Sequence, residues 1–317
     1  MGGVCTGANS TFEARYRLCE QIGKGSQGKV NVCFDRQSSD EFAVKILDRS
    51  SRNAYTTFRR EVDLLKTCEG NPNIVRVVDE FTDSLNYYVV MDRYAGHLRK
   101  ALRCVGTPKM GSVGLEPEAS AFLSDTPMRR VFYQATQAIA YLHSLDIAHR
   151  DVKAQNFLVD RLDLRDDSVR IVLSDFGLAK QMQPGQFLNA QVGTRKYWAP
   201  ELYDKHYWHV VDCFALGVML YLASTASYPY EGEEQVRHRD IFADEAIPDI
   251  LTAEAKEYLR RSLVKDPTDR ATAAELLNSF WLMPRTAAQL AASKGDGREE
   301  ESDLGTEVVS ETTLTRG

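Results

Sequence analysis

His149-Arg150-Asp151-Val152-Lys153-Ala154-Gln155-Asn156, followed by Asp175-Phe176-Gly177, decides how the rest of the chain is read. Each polar residue answers one demand of phosphoryl transfer. A hydroxyl must be aimed in line at a γ-phosphate, so a carboxylate, Asp151, stands where the proton points. Crowded negative charge must be neutralised. Lys153 supplies a cation near the γ-phosphate, and Asn156 and Asp175 supply oxygen ligands for Mg²⁺ that bridges the phosphates of ATP.

The residues upstream supply the other parts in order. Ile22-Gly23-Lys24-Gly25-Ser26-Gln27-Gly28-Lys29-Val30 reads as a glycine-rich loop between two strands. Gly23, Gly25 and Gly28 let backbone approach phosphate closely. The pattern alone is weak, because it also marks dinucleotide-binding folds. Phe42-Ala43-Val44-Lys45 decides between them, since Lys45 on the following strand can reach the α- and β-phosphates. That lysine needs an anion. Phe58, Val62 and Leu65 recur at helical spacing and predict a helix over 58–68. Glu61 borders the apolar stripe and Asp63 does not, so Glu61 is the expected partner.

Three further stretches extend the pattern: Gly193-Thr194-Arg195-Lys196-Tyr197-Trp198-Ala199-Pro200-Glu201, Asp212-Cys213-Phe214-Ala215-Leu216-Gly217 and Asp266-Pro267-Thr268-Asp269-Arg270. Together the motifs resemble a eukaryotic-type protein kinase over about Tyr16 to Met283. The resemblance implies an α+β, two-lobed fold. A small antiparallel β-sheet lobe with one helix spans 16–91, a hinge 92–94, and a larger helical lobe 95–283. It implies that ATP lies in the cleft. It also implies an apolar strand from Tyr87 to Met91, with Met91 gating the back of the adenine pocket. Backbone from Asp92 to Tyr94 would bind the adenine edge, and Val30, Ala43 and Leu158 would sandwich the ring. Glu201 and Arg270 would form a structural ion pair.

The Asp-x-Lys-x-x-Asn spacing resembles the serine/threonine class, where Thr194 bridges to Asp151 and Lys153. Protein substrates with Ser or Thr hydroxyls are therefore expected. Some positions depart from the family. Gln27 replaces an aromatic residue at the loop tip, and Phe214 stands where Trp is usual. Gln155 replaces a glutamate common in kinases that prefer basic substrates, and two other acidic positions fall on Leu98 (or His97) and Ala223. Arg195 and Lys196 add positive charge, so arginine-rich substrates are not expected and acidic ones are tolerated. From Leu178 to Val192 there is no Ser, Thr, Tyr, Asp or Glu. Arg150 is the residue that pairs with a loop phosphate in many relatives, yet this loop has no hydroxyl to phosphorylate. Activity without phosphorylation there is the expectation.

Composition agrees. The 317 residues suit one large domain or two lobes sharing a cleft, and 43% hydrophobic residues suffice for a sizeable core. A net charge of −6 argues against nucleic acid as a partner. Six cysteines without a C-x-x-C pair fit free thiols in a reducing cytosol. The run from Cys213 to Ala223 is too short to span a bilayer and reads as a core helix.

Residues 1–15 read as a lipid-modified, flexible arm. Met1-Gly2-Gly3-Val4-Cys5-Thr6 matches the myristoylation pattern at Gly2, with Cys5 placed for palmitoylation. One acyl chain binds membranes only marginally, so two would be needed to hold the protein peripherally on the cytoplasmic face. Residues 103–126 read as an inserted loop and 284–317 as a disordered acidic tail, with a short helix near 287–292. The tail has neither EF-hand spacing nor a basic amphipathic segment, so direct calcium control is not expected. The rival reading is a lipid-anchored, pseudokinase-like scaffold. Such scaffolds usually lose the metal aspartate, the base or the strand lysine, and this chain keeps all three.

Overall fold

A computed structural model describes residues 11–25, 28–105, 122–243, 247 and 250–283. Chain packing divides the protein into one compact unit, Met1–Leu282, and a second, Met283–Gly317, of which only Met283 is described. The expectations for Gly2 and Cys5, for Gln27, for most of the 103–126 insertion and for the 284–317 tail lie outside the described residues.

Five strands form the first sheet: β1 (Tyr16–Gly25), β2 (Gly28–Asp35), β3 (Glu41–Asp48), β4 (Val77–Thr82) and β5 (Asn86–Asp92). Their order is β1-β2-β3-β5-β4, and every pairing is antiparallel. Side chains alternate between the faces of a strand, so the sheet has two cores. On one face Val44, Tyr88 and Val90 pack with Phe12 and Tyr16. On the other, Leu47, Tyr87 and Val89 pack with Ala54, Phe58 and Val62 of α2 (Ala54–Thr67). Lys45 lies two residues from Leu47 and therefore faces α2.

Helix α2 begins four residues before the expected start at Phe58. Ala54 is buried one turn before Phe58 and extends the same stripe. Phe58 stacks on Tyr87 at 4.8 Å. Burying such a ring is worth about 1.5–3 kcal/mol over leaving it exposed. The 1–15 arm also needs amending: Phe12–Arg15 is a short helix, α1, capped by the Thr11 hydroxyl. Phe12 is buried and stacks on Tyr88 at 4.6 Å. Its aromatic payload makes residues 12–15 part of the small lobe.

The larger lobe holds α3 (Leu98–Cys104), α4 (Asp125–Ser144), α5 (Pro200–Tyr203), α6 (Val211–Thr225), α7 (Glu233–His238), α8 (Ala253–Ser262) and α9 (Ala273–Leu277). The connection between α3 and α4 is shorter than 103–126 at both ends, because Arg103 and Asp125 are helical. Helix α6 is buried on nearly every side, as an apolar run must be. Among the described residues no helix is long and apolar enough to cross a membrane.

Short strands at the lobe junction position the chemistry. They are β6 (Gly96–His97), β7 (Ile147–Ala148), β8 (Phe157–Val159), β9 (Ile171–Leu173) and β10 (Lys180–Gln181). The 149–156 loop runs between β7 and β8. Because β8 pairs with β9, Asn156 at one strand's start lies opposite Ser174, the residue before Asp175, beyond the other's end. The Ser174 amide and hydroxyl both donate to the Asn156 carbonyl at 2.8 Å.

Candidate active site

A cleft of about 530 Å³ lies between the lobes, within the range of small-molecule pockets. Strands β1 to β3 contribute Ile22, Gly23, Gly25, Gly28, Val30, Ala43 and Lys45 to its wall, and α2 contributes Glu61. Met91, Asp92 and Tyr94 follow along the connection between lobes, and Leu158 and Asp175 come from the larger lobe. Val75, Ala95 and Ser174 also line it and were not foreseen. The Asp92 carboxylate is taken by Arg76 at 2.6 and 2.9 Å, so the part Asp92 plays in the cleft is that of backbone. Gly28 is required by packing as well as by any ligand. A Cβ there would stand 2.3 Å from the Ile46 carbonyl oxygen of β3.

Lys45 Nζ lies 2.7 and 2.8 Å from the two Glu61 oxygens and 2.8 Å from Asp175 Oδ1. Asp63 instead pairs with Arg59 on the solvent side at 2.6 Å. Burial opposes the Lys45 charge, but Glu61 and Asp175 outweigh it and raise the ammonium above its ordinary pKa. Burial likewise opposes ionisation of Asp175, and Lys45 overcomes it, leaving that carboxyl below its usual value. A charged lysine and an ionised aspartate face the cleft together.

The donor set fits Mg²⁺. Asn156 Nδ2 donates to the Asp151 carbonyl at 2.8 Å and to Asp151 Oδ2 at 3.1 Å. With its amide nitrogen so held, Asn156 would offer Mg²⁺ its carbonyl oxygen, and Asp175 its carboxylate. Among the described residues no group of three His, Cys, Asp or Glu could hold a metal unaided. Mg²⁺ held by one or two carboxylates plus substrate phosphates needs none.

Asp151 is saturated with donors. Its Oδ1 accepts from the Thr194 amide at 2.9 Å and the Thr194 hydroxyl at 2.8 Å. Its Oδ2 accepts from Lys153 Nζ at 2.6 Å, and Lys153 also donates to Thr194 Oγ1 at 2.9 Å. The loop beneath is fixed from the core. Buried Asp212 of α6 accepts from the backbone amides of His149 and Arg150, both at 2.8 Å. Those bonds hold Arg150 at φ 67°, a left-handed conformation that costs energy for a side chain of this size. Gly193, at φ 89°, brings Thr194 into place, and a Cβ there would lie 2.2 Å from the Arg150 carbonyl oxygen. Only glycine fits.

Several contacts of Arg150, Tyr207 and Arg60 had no sequence signal. Arg150 Nε donates to the Leu178 carbonyl at 2.7 Å, and Nη1 reaches the buried Tyr207 hydroxyl at 3.4 Å. Tyr207 in turn donates to the Ala190 carbonyl at 2.5 Å, while its backbone exchanges two hydrogen bonds with Leu188. From α2, Arg60 donates to the Gly177 carbonyl. Leu98 and Ala223 are buried apolar side chains, and Gln155 is neutral, so no carboxylate stands at the three positions named for basic-substrate recognition. Arg270 and Glu201 meet in a buried two-bond pair at 2.5 and 2.9 Å.

The protein kinase domain model matches residues 16–282. Among curated proteins, the chain is similar to the probable serine/threonine-protein kinase MARK-C of Dictyostelium discoideum, 31% identical over 276 residues, which are 84% of this chain and 33% of that protein. It is similar to the serine/threonine-protein kinase PEPKR2 of Arabidopsis thaliana, 28% identical over 284 residues, 88% of this chain and 55% of that protein. It is also 26% identical to the CDPK-related kinase 5 of Arabidopsis thaliana, over 90% of this chain and 47% of that protein. The chain thus spans about half or less of the length of these relatives. Family match and site geometry agree: the chain belongs to the protein kinase domain family, whose cofactor pair is ATP with Mg²⁺.

Proposed function

We propose that this protein transfers the γ-phosphate of Mg-ATP to serine or threonine hydroxyls of protein substrates. The observation that carries this reading is the Asp151 carboxylate held by Thr194, Lys153 and Asn156. Asn156 and Asp175 would hold Mg²⁺, which would neutralise charge on the phosphates. Asp151 orients the attacking hydroxyl and takes its proton. Lys153, bonded to both Asp151 and Thr194, supplies a cation beside the base for the charge on the transferring group. Lys45, kept charged by Glu61 and Asp175, fixes the α- and β-phosphates. The serine/threonine class rests on the spacing of Asp151, Lys153 and Asn156 and on the names of the relatives. Phosphoamino-acid analysis of the products tests it, and phosphotyrosine alone would overturn it.

The same reading includes activity without phosphorylation in 178–192. Support comes from Arg150, whose guanidinium is already engaged by Leu178 and Tyr207. The Tyr207 hydroxyl links this arginine to the loop, as a phosphate does elsewhere in the family. Tyr207→Phe would leave the Ala190 carbonyl without its donor, at a cost of about 1–3 kcal/mol. Peptide kcat/KM should fall roughly tenfold, with the Mg-ATP Kd unchanged. Unchanged peptide kinetics would remove Tyr207 from the account, and phosphatase treatment of the wild type should leave its rate intact.

Acylation of Gly2 and Cys5, with peripheral attachment to the cytoplasmic face of a membrane, is part of this proposal and rests on the Met1–Thr6 pattern alone. Gly2→Ala should move the protein from the membrane fraction to the soluble one. An unchanged partition would refute the attachment.

A further inference from the structure

Asp212 holds the catalytic loop, and His143 holds Asp212. Asp212 Oδ2 accepts from the His149 amide and, at 3.1 Å, from His143 Nε2, while Oδ1 accepts from the Arg150 amide. His143 stands in the last turn of α4, with its side chain 8% exposed against 1% for Asp212. An acceptor-only carboxylate fixes the imidazole tautomer, because the proton must sit on Nε2. Burial opposes ionisation of Asp212. The bond from His143, helped by His149, outweighs it and leaves that carboxyl below its usual value.

The turn into α6 grips the same imidazole from a second side. The Asp212 amide donates to the His209 carbonyl at 3.0 Å, so residues 209 and 212 belong to one turn. The His209 ring lies against the His143 ring, with centroids 4.2 Å apart and planes tilted by 34°. His143 therefore meets His209 and Asp212 at once. Neither Nδ1 has a hydrogen-bond partner among the described residues, although both are buried. Buried polar atoms left without partners cost stability, and such departures concentrate at functional sites. Burial, with His143 beside it, lowers the His209 imidazole to about 4, against the pull of Asp212 and Asp146. The ring that braces His143 is thus uncharged at neutral pH.

We propose that His209 and His143 are positioning residues for phosphoryl transfer: His209 braces His143, whose Nε2 fixes Asp212, which in turn fixes the loop that aims Asp151. The inference rests on the kinase reading and names what holds its base. The coupling runs through short steps. Donors from α4 and from the loop converge on Asp212 and leave its carboxylate one arrangement. Without the His143 donor the carboxylate can turn, and its grip on the strained Arg150 backbone loosens. Asp151 is the next residue and moves with it. A misplacement of about 1 Å costs about 10²-fold in rate, so partial loosening is still measurable. Among the described residues neither His143 nor His209 lines the nucleotide cleft, so Mg-ATP binding does not depend on them.

Steady-state kinetics beside a Mg-ATP titration tests this on the full chain. His143→Phe fills the space without a donor, whereas His143→Gln keeps an amide donor within reach of Asp212. His143→Phe should lower peptide kcat about tenfold with the Mg-ATP Kd within about twofold, and His143→Gln should recover most of the loss. His209→Ala removes the brace and should lower kcat about threefold or more, and His209→Phe, which restores a ring, should recover it. Because His209 acts through His143, the double variant of His143→Phe with His209→Ala should be no slower than His143→Phe alone. Losses that multiply in the double variant overturn the inference. So does kcat within about twofold of wild type in both His143→Phe and His209→Ala, failure of both rescues, or a loss of Mg-ATP affinity that matches the loss of kcat. Each of these leaves the kinase reading standing, whereas a wild type that transfers no phosphate removes both.

Discussion

Asp151→Asn should lower kcat by about 10²–10⁴-fold, the contribution expected of a positioned general base. The geometry argues for the upper part of that range. The carboxylate accepts four hydrogen bonds, from the Thr194 amide, the Thr194 hydroxyl, Lys153 and Asn156. An asparagine has one acceptor oxygen and one donor nitrogen. Whichever way the amide turns, its NH₂ faces either the Thr194 donors or the Lys153 ammonium. The substitution therefore removes the proton acceptor and also loosens the two residues that frame it. Nucleotide binding depends on other groups: Lys45, Glu61 and the cleft wall. Steady-state kinetics together with a direct Mg-ATP titration separates the two effects. A large fall in kcat with an Mg-ATP Kd within about twofold is the expected pair of results. A variant that keeps a tenth or more of wild-type turnover would remove Asp151 from the role assigned to it.

Arg270→Ala should produce the largest loss of stability, about 3–5 kcal/mol, because it strands a buried carboxylate. The Arg270 side chain is fully buried and that of Glu201 is 6% exposed. Beyond its two bonds to Glu201, Arg270 donates to the Val264 and Lys265 carbonyls at 2.8 and 3.2 Å, and its guanidinium lies over Phe214 at 5.0 Å. These contacts join the segment that ends in Glu201 to helix α6 and to the 264–270 turn. Charge, hydrogen bonds and packing are lost together. Denaturant unfolding measures the loss. In the double variant with Glu201→Ala the cost should be smaller than the sum of the single ones, since no charge is left behind. A single-variant cost under about 1 kcal/mol would show that the pair contributes no more than a surface bridge.

What the sequence made legible follows from distance along the chain. The residues of 149–156 sit close together in sequence, so spacing alone assigned their roles. The Lys45–Glu61 pair could be found because α2 has a readable stripe, and Glu61 borders it while Asp63 does not. The stripe was read one turn short. Tyr55, Thr56 and Thr57 dilute the pattern, and Ala54 is too small to signal burial. Phe12 was assigned to a flexible arm because an isolated aromatic in a polar stretch carries no period. Its stacking on Tyr88 depends on where the sheet places residue 88. Tyr207 and Arg60 were invisible for the same reason. Each acts on a backbone carbonyl, of Ala190 or Gly177, that only tertiary structure brings near, and a carbonyl leaves no mark in a sequence.

The measurement that bears most directly on the central claim is labelled phosphate transfer from Mg-ATP by the purified, phosphatase-treated chain onto a mixed protein and peptide panel, beside Asp151→Asn. The account predicts phosphoserine or phosphothreonine from the wild type and almost none from the variant. Tight Mg-ATP binding without transfer to any substrate would contradict it and leave the domain as a nucleotide-binding scaffold.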